Sequence, residues 1–134
     1  MKKYLFDTNI CIYYIRGFYD LNTKFNAVKE EDRYISEITL AELKFGVENS
    51  EFPRKNKKVL DNFLTGLQVL PIYFSLDLYA KEKARLRKQG KPIDDFDLLI
   101  GVSAVVNNMV LVTNNESHFK RIQNIQIENW TKTD

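Results

Sequence analysis

Short apolar runs alternate with longer segments of helical pattern along the whole chain. The five runs occupy residues 4–6, 33–36, 69–72, 110–113 and 125–128, and we predict that each is a β-strand. The predicted helices between them cover residues 10–15, 21–31, 39–47, 53–67, 75–89 and 95–107. Strands that alternate with helices pair in parallel, and their crossover helices cover both faces of the sheet. The pattern therefore predicts an α/β domain with about five short parallel strands flanked by helices on both faces.

Local signals define several helix ends. Ser75 is the predicted N-cap of the helix at 75–89, and Gly90 with Pro92 is predicted to end it. Pro53 suits the first turn of the helix at 53–67. The segment 95–107 is apolar on nearly every side, which predicts a central, buried helix.

Composition places the chain among ordinary globular proteins. With 134 residues, of which 44% are hydrophobic and 28% charged, residues 1–134 are expected to form a single domain. No apolar stretch reaches the length of a membrane span, and Asp7 interrupts the first apolar run before it could serve as a signal peptide. We therefore expect a cytoplasmic protein that does not associate with membranes.

Two residue counts and the net charge limit the possible chemistry. Cys11 is the only cysteine, which excludes an internal disulfide and a cysteine-based zinc site. His118 is the only histidine, which excludes a nuclease that uses two histidines, and we interpret it as a structural or surface residue and not as a general base. The net charge of +2 is too small to indicate nucleic-acid binding by itself.

Four polar residues lie at the edges of apolar segments or inside them. They are Asp7, Glu42, Asp97 and Asn115. Asp7 follows the first predicted strand and Asn115 follows the fourth, so both should lie at the carboxyl edge of the sheet, where sites of such folds form. Glu42 and Asp97 lie near the starts of two predicted helices, so the topology can bring all four residues together.

Each of these residues also has a structural alternative. Asp7 could serve only as the N-cap of the following helix, and Thr39 with Glu42 matches a capping box. Asn115 is an ordinary loop or cap residue. Asp97 is harder to explain structurally, because an unpaired carboxylate between Phe96 and Leu98 on a buried helix is strongly destabilising.

A bound cation would account for acids gathered in this way. Three carboxylates within a few ångströms repel one another unless a cation neutralises them. Oxygen ligands suit Mg²⁺ or Mn²⁺ and not zinc, and Mg²⁺ takes only one or two direct carboxylates while it keeps several waters. Such a site can activate water for attack on a phosphodiester, and it requires no protein nucleophile.

Four motifs occur in an order that resembles the PIN-domain family. They are Asp7-Thr8-Asn9, the segment 39–43 around Glu42, the segment 92–100 around Asp97, and the segment 111–115. Together with Glu128-Asn129-Trp130 near the end of the chain, they make the sequence most similar to VapC-type toxins of bacterial toxin–antitoxin pairs. The resemblance covers almost the whole chain and implies a PIN-like, Rossmann-like fold.

The resemblance implies a Mg²⁺-dependent endoribonuclease, with Mn²⁺ as a possible substitute. Its acidic centre would be Asp7, Glu42 and Asp97, with Asp7 and Asp97 as direct metal ligands. Glu42 would orient a water or hold a second ion. Thr113 and Asn115 match the last motif, where many members of the family carry an aspartate in place of Asn115; a second metal is therefore left open.

Asp94 is a further departure from the family pattern. It lies three residues before Asp97 and shares a helix face with it. It could supplement the missing acid, or it could be an exposed acid at the helix start.

The expected contacts with RNA are Thr8, Asn9 and Lys83. Lys83 lies in a basic stretch at residues 81–91, where it could hold a phosphate or extend its stem along apolar surface. The resemblance also implies a homodimer and a hetero-oligomer with a VapB-type antitoxin, for which residues 10–47 are the expected groove. The rival interpretations are a PIN-type nuclease of RNA processing or DNA repair and a non-catalytic RNA-binding protein.

Overall fold

A computed structural model of the chain, which describes residues 2–132, contains a five-stranded sheet in the order β3-β2-β1-β4-β5. All four strand pairs are parallel. The strands are β1 (Tyr4–Phe6), β2 (Arg33–Ser36), β3 (Gln68–Leu70), β4 (Val110–Val112) and β5 (Gln126–Glu128). The predicted parallel sheet of five short strands is therefore confirmed.

Seven α-helices connect the strands in the described part of the chain. They are α1 (Thr8–Arg16), α2 (Leu21–Asn26), α3 (Glu37–Glu48), α4 (Pro53–Leu64), α5 (Leu76–Lys88), α6 (Asp95–Val106) and α7 (Glu116–Phe119). Two short 3₁₀ turns add to them, at Glu30–Asp32 and Tyr73–Ser75. None of the helices within residues 2–132 has both the length and the apolar character that crossing a bilayer requires.

Alternating side chains on the central strands create a separate core on each face of the sheet. Leu5 and Leu111 point into one core, whereas Phe6 and Val112 point into the other. The first core contains residues from α5, α6 and α7, and the second contains residues from α1 to α4 together with Trp130. The expectation of helices on both faces is thus confirmed. This packing holds the carboxyl edge of β1 and β4 between two buried layers.

The central helix α6 has the buried character that its sequence predicted. Leu98, Ile100, Val102 and Ala104 are at most 1% exposed. Gly101 faces α7, and a Cβ atom at this position would collide with Ile122 and lie 3.2 Å from the ring of Phe119. The absence of a side chain therefore lets α6 approach α7 closely.

Two predicted helices are too long. The segment 21–31 is helical only to Asn26, because Lys29 is extended and a 3₁₀ turn then leads into β2. Arg33 also donates from Nε to the carbonyl oxygen of Val28, over 3.0 Å, which stabilises this turn. The segment 53–67 is helical only to Leu64, since the chain must turn before it enters β3.

Ser75 occupies the predicted N-cap position of α5, but it does not act as a cap. Its side chain makes no capping hydrogen bond, and its backbone is already helical because a 3₁₀ turn precedes α5. Ser75 is fully buried, and its hydroxyl accepts a hydrogen bond from Ser103 over 3.0 Å. Gly90 has the positive φ of 68° that was expected after the end of α5. The short helix α7 was not predicted, since four residues carry too little periodic pattern.

Two glycines within helices test the close packing of α6. Gly46 in α3 has no atom near its missing Cβ, so Gly46→Ala should raise the free energy of unfolding by about 0.5–1 kcal/mol through helix propensity. We expect Gly101→Ala to lower it by roughly 1–2 kcal/mol, because overpacking against Ile122 and Phe119 exceeds that gain. Urea denaturation of both variants measures the difference. Equal stabilisation by the two substitutions would contradict the packing described for α6.

Candidate active site

The pairing of β1 with β4 places the ends of these strands side by side. Phe6 is in register with Val112, so the next residues, Asp7 and Thr113, are neighbours at the carboxyl edge. The amide of Asp7 continues the ladder by donating to the carbonyl oxygen of Val112 over 3.0 Å. The hydroxyl of Thr113 donates to Asp7 Oδ2 over 2.8 Å. Two strand ends that are far apart in sequence thus create one polar contact.

Asp7 is both the N-cap of α1 and a buried acid. Its Oδ1 accepts a hydrogen bond from the amide of Thr8 over 2.8 Å, which confirms the capping role. The residue is only 5% exposed. The pKa of Asp7 is raised to about 6. Burial is the largest cause, the hydrogen bonds from Thr113 and Thr8 oppose it, and the nearby charges of Asp97 and Glu42 add smaller increases. The cap alone does not explain an acid with such a pKa, because an exposed side chain caps a helix at lower cost.

Thr113 and Asn115, which follow β4, orient the carboxylate of Asp7. The amide of Asn115 donates to the hydroxyl oxygen of Thr113 over 3.0 Å, and that hydroxyl donates to Asp7. Thr113 is fully buried. Asn115 precedes α7, but its side chain makes no capping hydrogen bond. The backbone of Asn115 therefore fixes the direction of the Thr113 hydroxyl.

Glu42 joins this edge through Thr8. The hydroxyl of Thr8 donates to Glu42 Oε1 over 2.6 Å, and the hydroxyl oxygens of Thr8 and Thr39 lie 3.0 Å apart. The capping-box alternative for Glu42 is wrong, because α3 begins at Glu37 and its N-cap is Ser36. Ser36 Oγ accepts from the amide of Ile38 over 3.0 Å. Glu42 consequently lies in the second turn of α3, with its carboxylate directed to α1.

Asp97 lies in the first turn of α6. The apolar residues beside it in the sequence suggested a deeply buried side chain, but it is only partly buried. Its side chain is 31% exposed, and Phe96 is 49% exposed. Burial nevertheless raises the pKa of Asp97, while His118 opposes this effect and Asp94 adds to it. Asp94 is the N-cap of α6, with Oδ2 accepting from the amide of Phe96 over 3.2 Å. The charge of Asp94 therefore acts on Asp97 from an exposed position.

His118 lies closer to the acidic centre than the sequence indicated. Its Nε2 atom is 3.6 Å from Asp97 Oδ2. The only available signal was its position three residues after Asn115, on the turn that follows β4. This spacing did not reveal which residue of α6 it would meet.

The three expected RNA contacts occupy different surroundings. Thr8 contacts Glu42, as described, and Asn9 is exposed in the first turn of α1. Lys83 projects from α5 and is 43% exposed, and its ammonium group is 2.8 Å from Asp95 Oδ1 and 3.3 Å from the hydroxyl of Tyr79. Lys83 is thus tied to the acid beside Asp94, and its described contacts do not include the three acids of the centre.

The donor atoms at this edge suit a hard divalent cation held by few protein ligands. No group of three or more Asp, Glu, His or Cys side chains within residues 2–132 is close enough to enclose a metal ion. However, Asp7 carries an unfavourable charge to which Asp97 and Glu42 contribute, and a cation would relieve it. Mg²⁺ needs only one or two direct carboxylates. Asp7 and Asp97 therefore suit such an ion as its only carboxylate ligands, with the remaining coordination positions open to water or substrate.

The raised pKa of Asp7 predicts an unusual dependence of stability on pH in metal-free protein. The unfolded chain releases this proton near pH 3.8 and the folded chain near pH 6. The contribution of Asp7 to the unfolding free energy therefore falls as pH rises through this range and is constant above it, with a total loss of roughly 3 kcal/mol. In EDTA, Asp7→Asn should gain stability relative to the wild type between pH 4 and pH 7.

Denaturation at several pH values measures this gain. Asp77→Asn is the matched control, because Asp77 is exposed in the first turn of α5. Its difference from the wild type should stay nearly constant with pH. A constant difference for Asp7→Asn as well would contradict the burial of a charged Asp7.

Comparison with known proteins agrees with this arrangement of motifs and fold. The profile of the PIN domain matches residues 4–125. Ribonuclease VapC2 of Rickettsia felis is 39% identical over 132 residues, which cover 96% of this chain and 98% of that protein. The tRNA(fMet)-specific endonuclease VapC of Shigella flexneri is 32% identical over 133 residues, which cover 98% of this chain and 100% of that protein.

A solved structure gives the same result. The crystal structure of DNA-bound VapBC from Salmonella typhimurium contains a chain that superposes with a TM-score of 0.91 at 35% identity. The match covers 97% of this chain and 99% of that chain. Strand order, site motifs and similarity along nearly the full length therefore agree, and the chain belongs to the PIN-domain family, in which its relatives are VapC proteins.

Proposed function

We propose that this protein is an endoribonuclease that depends on a divalent cation and is the toxin of a VapBC-type toxin–antitoxin pair. The observation that carries the proposal is the buried Asp7 carboxylate, whose pKa is raised to about 6 beside Asp97 and Glu42. A structural acid would not need two further acids near it. The names of the VapC relatives support ribonuclease activity, and the VapBC complex from S. typhimurium supports an antitoxin partner.

Asp7 and Asp97 are the proposed ligands of the cation, which we take to be Mg²⁺ with Mn²⁺ as a substitute. Each oxygen of Asp7 accepts one hydrogen bond and keeps a lone pair for a further interaction. The hydroxyl of Thr113 and the amide of Thr8 hold the carboxylate in one orientation. When bound, the cation supplies a polarised water and neutralises charge on the phosphodiester.

Glu42 is the proposed group that orients the attacking water. Thr8 holds Oε1 of Glu42, whereas Oε2 has no hydrogen bond within residues 2–132 and can accept a proton from water. Asn115 contributes through its backbone, because its amide fixes the hydroxyl of Thr113 that in turn fixes Asp7. With asparagine in place of a fourth acid, the proposal needs only one firmly held cation.

The proposed substrate is RNA, and tRNA is the first RNA to test because the S. flexneri relative is named a tRNA(fMet)-specific endonuclease. An exposed basic surface on and after α5 can attract the phosphate backbone; it consists of Lys81, Arg87, Lys88 and Lys91. Lys83 could join it only by exchanging Asp95 for a phosphate, because its ammonium group is already paired. Thr8 and Asn9 stay proposed contacts beside the centre.

Replacement of either proposed metal ligand tests the activity. Asp7→Asn and Asp97→Asn should each lower tRNA cleavage by about 100-fold or more, because the loss of one ligand removes several kcal/mol of transition-state stabilisation. EDTA should abolish cleavage by the wild type, and Mg²⁺ or Mn²⁺ should restore it. Gel electrophoresis of labelled RNA measures cleavage, and circular dichroism checks the fold.

Asp77→Asn serves again as the control and should cleave RNA at the wild-type rate. Undiminished cleavage by either Asp7→Asn or Asp97→Asn would overturn the proposal. Cleavage that persists in EDTA would overturn the proposed role of the metal.

An apolar groove between α1, α3 and α4 is the proposed site for the antitoxin. It has a volume of about 270 Å³, and Glu42 is one of its lining residues; its apolar lining consists of Ile12, Ile15, Leu43, Val47, Val59 and Leu60. Residues 10–47 were the expected groove, and the addition of α4 extends it. An amphipathic segment of the antitoxin can lay its apolar face here. We also propose that the chain forms a homodimer, which the antitoxin joins in a hetero-oligomer.

Two valines of similar exposure test this groove. Val59 in α4 is 42% exposed and lines the groove, whereas Val106 at the end of α6 is 40% exposed and lies outside its lining. Val59→Lys should weaken binding of the antitoxin by about 10-fold or more, because it places a charge in an apolar contact. Val106→Lys should leave the affinity unchanged. Calorimetry with a VapB-type antitoxin that binds the wild-type chain measures both affinities, and equal affinities would contradict the assignment.

A further inference from the structure

His118 contacts Asp97 through a nitrogen atom that has no role in the function proposed above. Its Nε2 atom lies 3.6 Å from Asp97 Oδ2. This nitrogen is shielded from solvent and has no hydrogen-bond partner among residues 2–132. Buried polar atoms of this kind are rare in folded proteins and call for a specific explanation.

The position of His118 is fixed by the packing of α7 against α6. The next residue, Phe119, is fully buried in the core and faces Gly101 of α6. The backbone of α7 is also held at its start, because the carbonyl oxygen of Asn115 accepts from the amides of His118 and Phe119, each over 3.3 Å. The imidazole therefore approaches Asp97 from a rigid support.

The burial of Nε2 limits what His118 can do. The side chain as a whole is 28% exposed, but the Nε2 atom itself is closed to solvent. RNA or bulk water therefore cannot reach this nitrogen directly. The acid that faces it is Asp97, so any effect of Nε2 on the reaction must pass through the Asp97 carboxylate.

We propose that His118 is a positioning residue, which donates a hydrogen bond from Nε2 to Asp97 Oδ2 and so holds this carboxylate in the orientation that binds the divalent cation. The proposal rests on the proposed function, in which Asp97 is a ligand. The distance from Nε2 to Asp97 Oδ2 is slightly longer than a hydrogen bond. Such contacts often shorten when the ligand of the site, here the cation, binds. Residues that hydrogen-bond to metal ligands typically contribute 10- to 100-fold to metal affinity.

Calorimetric titration with Mn²⁺ tests this role without any measurement of activity. His118→Leu removes the donor, and we expect it to weaken Mn²⁺ binding by about 10-fold or more. His118→Gln keeps an N–H group at a similar distance from the backbone, and it should bind Mn²⁺ nearly as tightly as the wild type. Ser117→Ala, an exposed neighbour on α7, is the matched control and should have no effect.

Thermal unfolding in EDTA separates positioning from a purely structural role. His118→Leu should unfold at a temperature close to that of the wild type without metal, because losing the contact with Asp97 is offset by removing a buried nitrogen that has no hydrogen-bond partner within residues 2–132. If His118→Leu binds Mn²⁺ like the wild type, the proposal is wrong. Equal weakening by His118→Leu and His118→Gln would also overturn it, because the donated hydrogen bond would then not matter.

A different set of results would show that the proposed function itself is wrong. If Asp97→Asn binds Mn²⁺ as tightly as the wild type, or the wild type binds none, Asp97 is not a ligand. The proposed function then fails, and the positioning role fails with it. Loss of binding in Asp97→Asn together with unchanged binding in His118→Leu overturns the positioning role alone.

Discussion

The parallel pairing of β1 with β4 is the contact on which the candidate site depends. It brings Asp7 next to Thr113, although the two residues lie near opposite ends of the chain. Burial of a carboxylate at this place opposes folding, and the hydrogen bonds from Thr113 and Thr8 offset only part of the cost, since the pKa of Asp7 is still raised to about 6. The fold thus maintains a destabilised acid at a sheet edge. Such a site is expected where function, and not stability, determines the residue.

The two cores explain how this unfavourable acid is kept in place. Leu5 and Phe6 are adjacent on β1 and are both fully buried on opposite faces, so the strand cannot shift without disrupting both cores. Each remaining acid comes from a helix packed on one of these cores. Glu42 lies on α3, which packs in the core of Phe6, and Asp97 lies on α6, which packs in the core of Leu5. The proposed acidic centre therefore takes its residues from elements of both layers.

The sequence was sufficient to predict most of the fold, because the apolar runs are short and the helices between them are distinct. It placed all five strands and the buried helix α6 within a few residues. It failed where tertiary contacts override local signals. Ser75 looks like a cap but bonds to Ser103, and the segment 21–31 has a helical pattern throughout but must turn to bring Arg33 into β2.

For the candidate site, too, local sequence signals were informative and tertiary contacts were not predictable. Asp7 could be proposed as a site residue from its position at a strand end, and Glu42 and Asp97 from the motifs around them; their roles stay predictions. The prediction of a strongly enclosed Asp97 was too extreme, because a first-turn residue lies at the edge of α6 and not within it. His118 was missed because no local pattern shows which side chain on another helix it will face.

The central claim is that Asp7 and Asp97 together hold one divalent cation at the carboxyl edge of the sheet. Anomalous diffraction from crystals soaked in MnCl₂ tests it most directly, because the signal locates the ion without reference to activity. The account predicts one strong anomalous peak in contact with the carboxylates of both Asp7 and Asp97. A peak bound elsewhere, or no peak at this edge at Mn²⁺ concentrations that support cleavage, would contradict it.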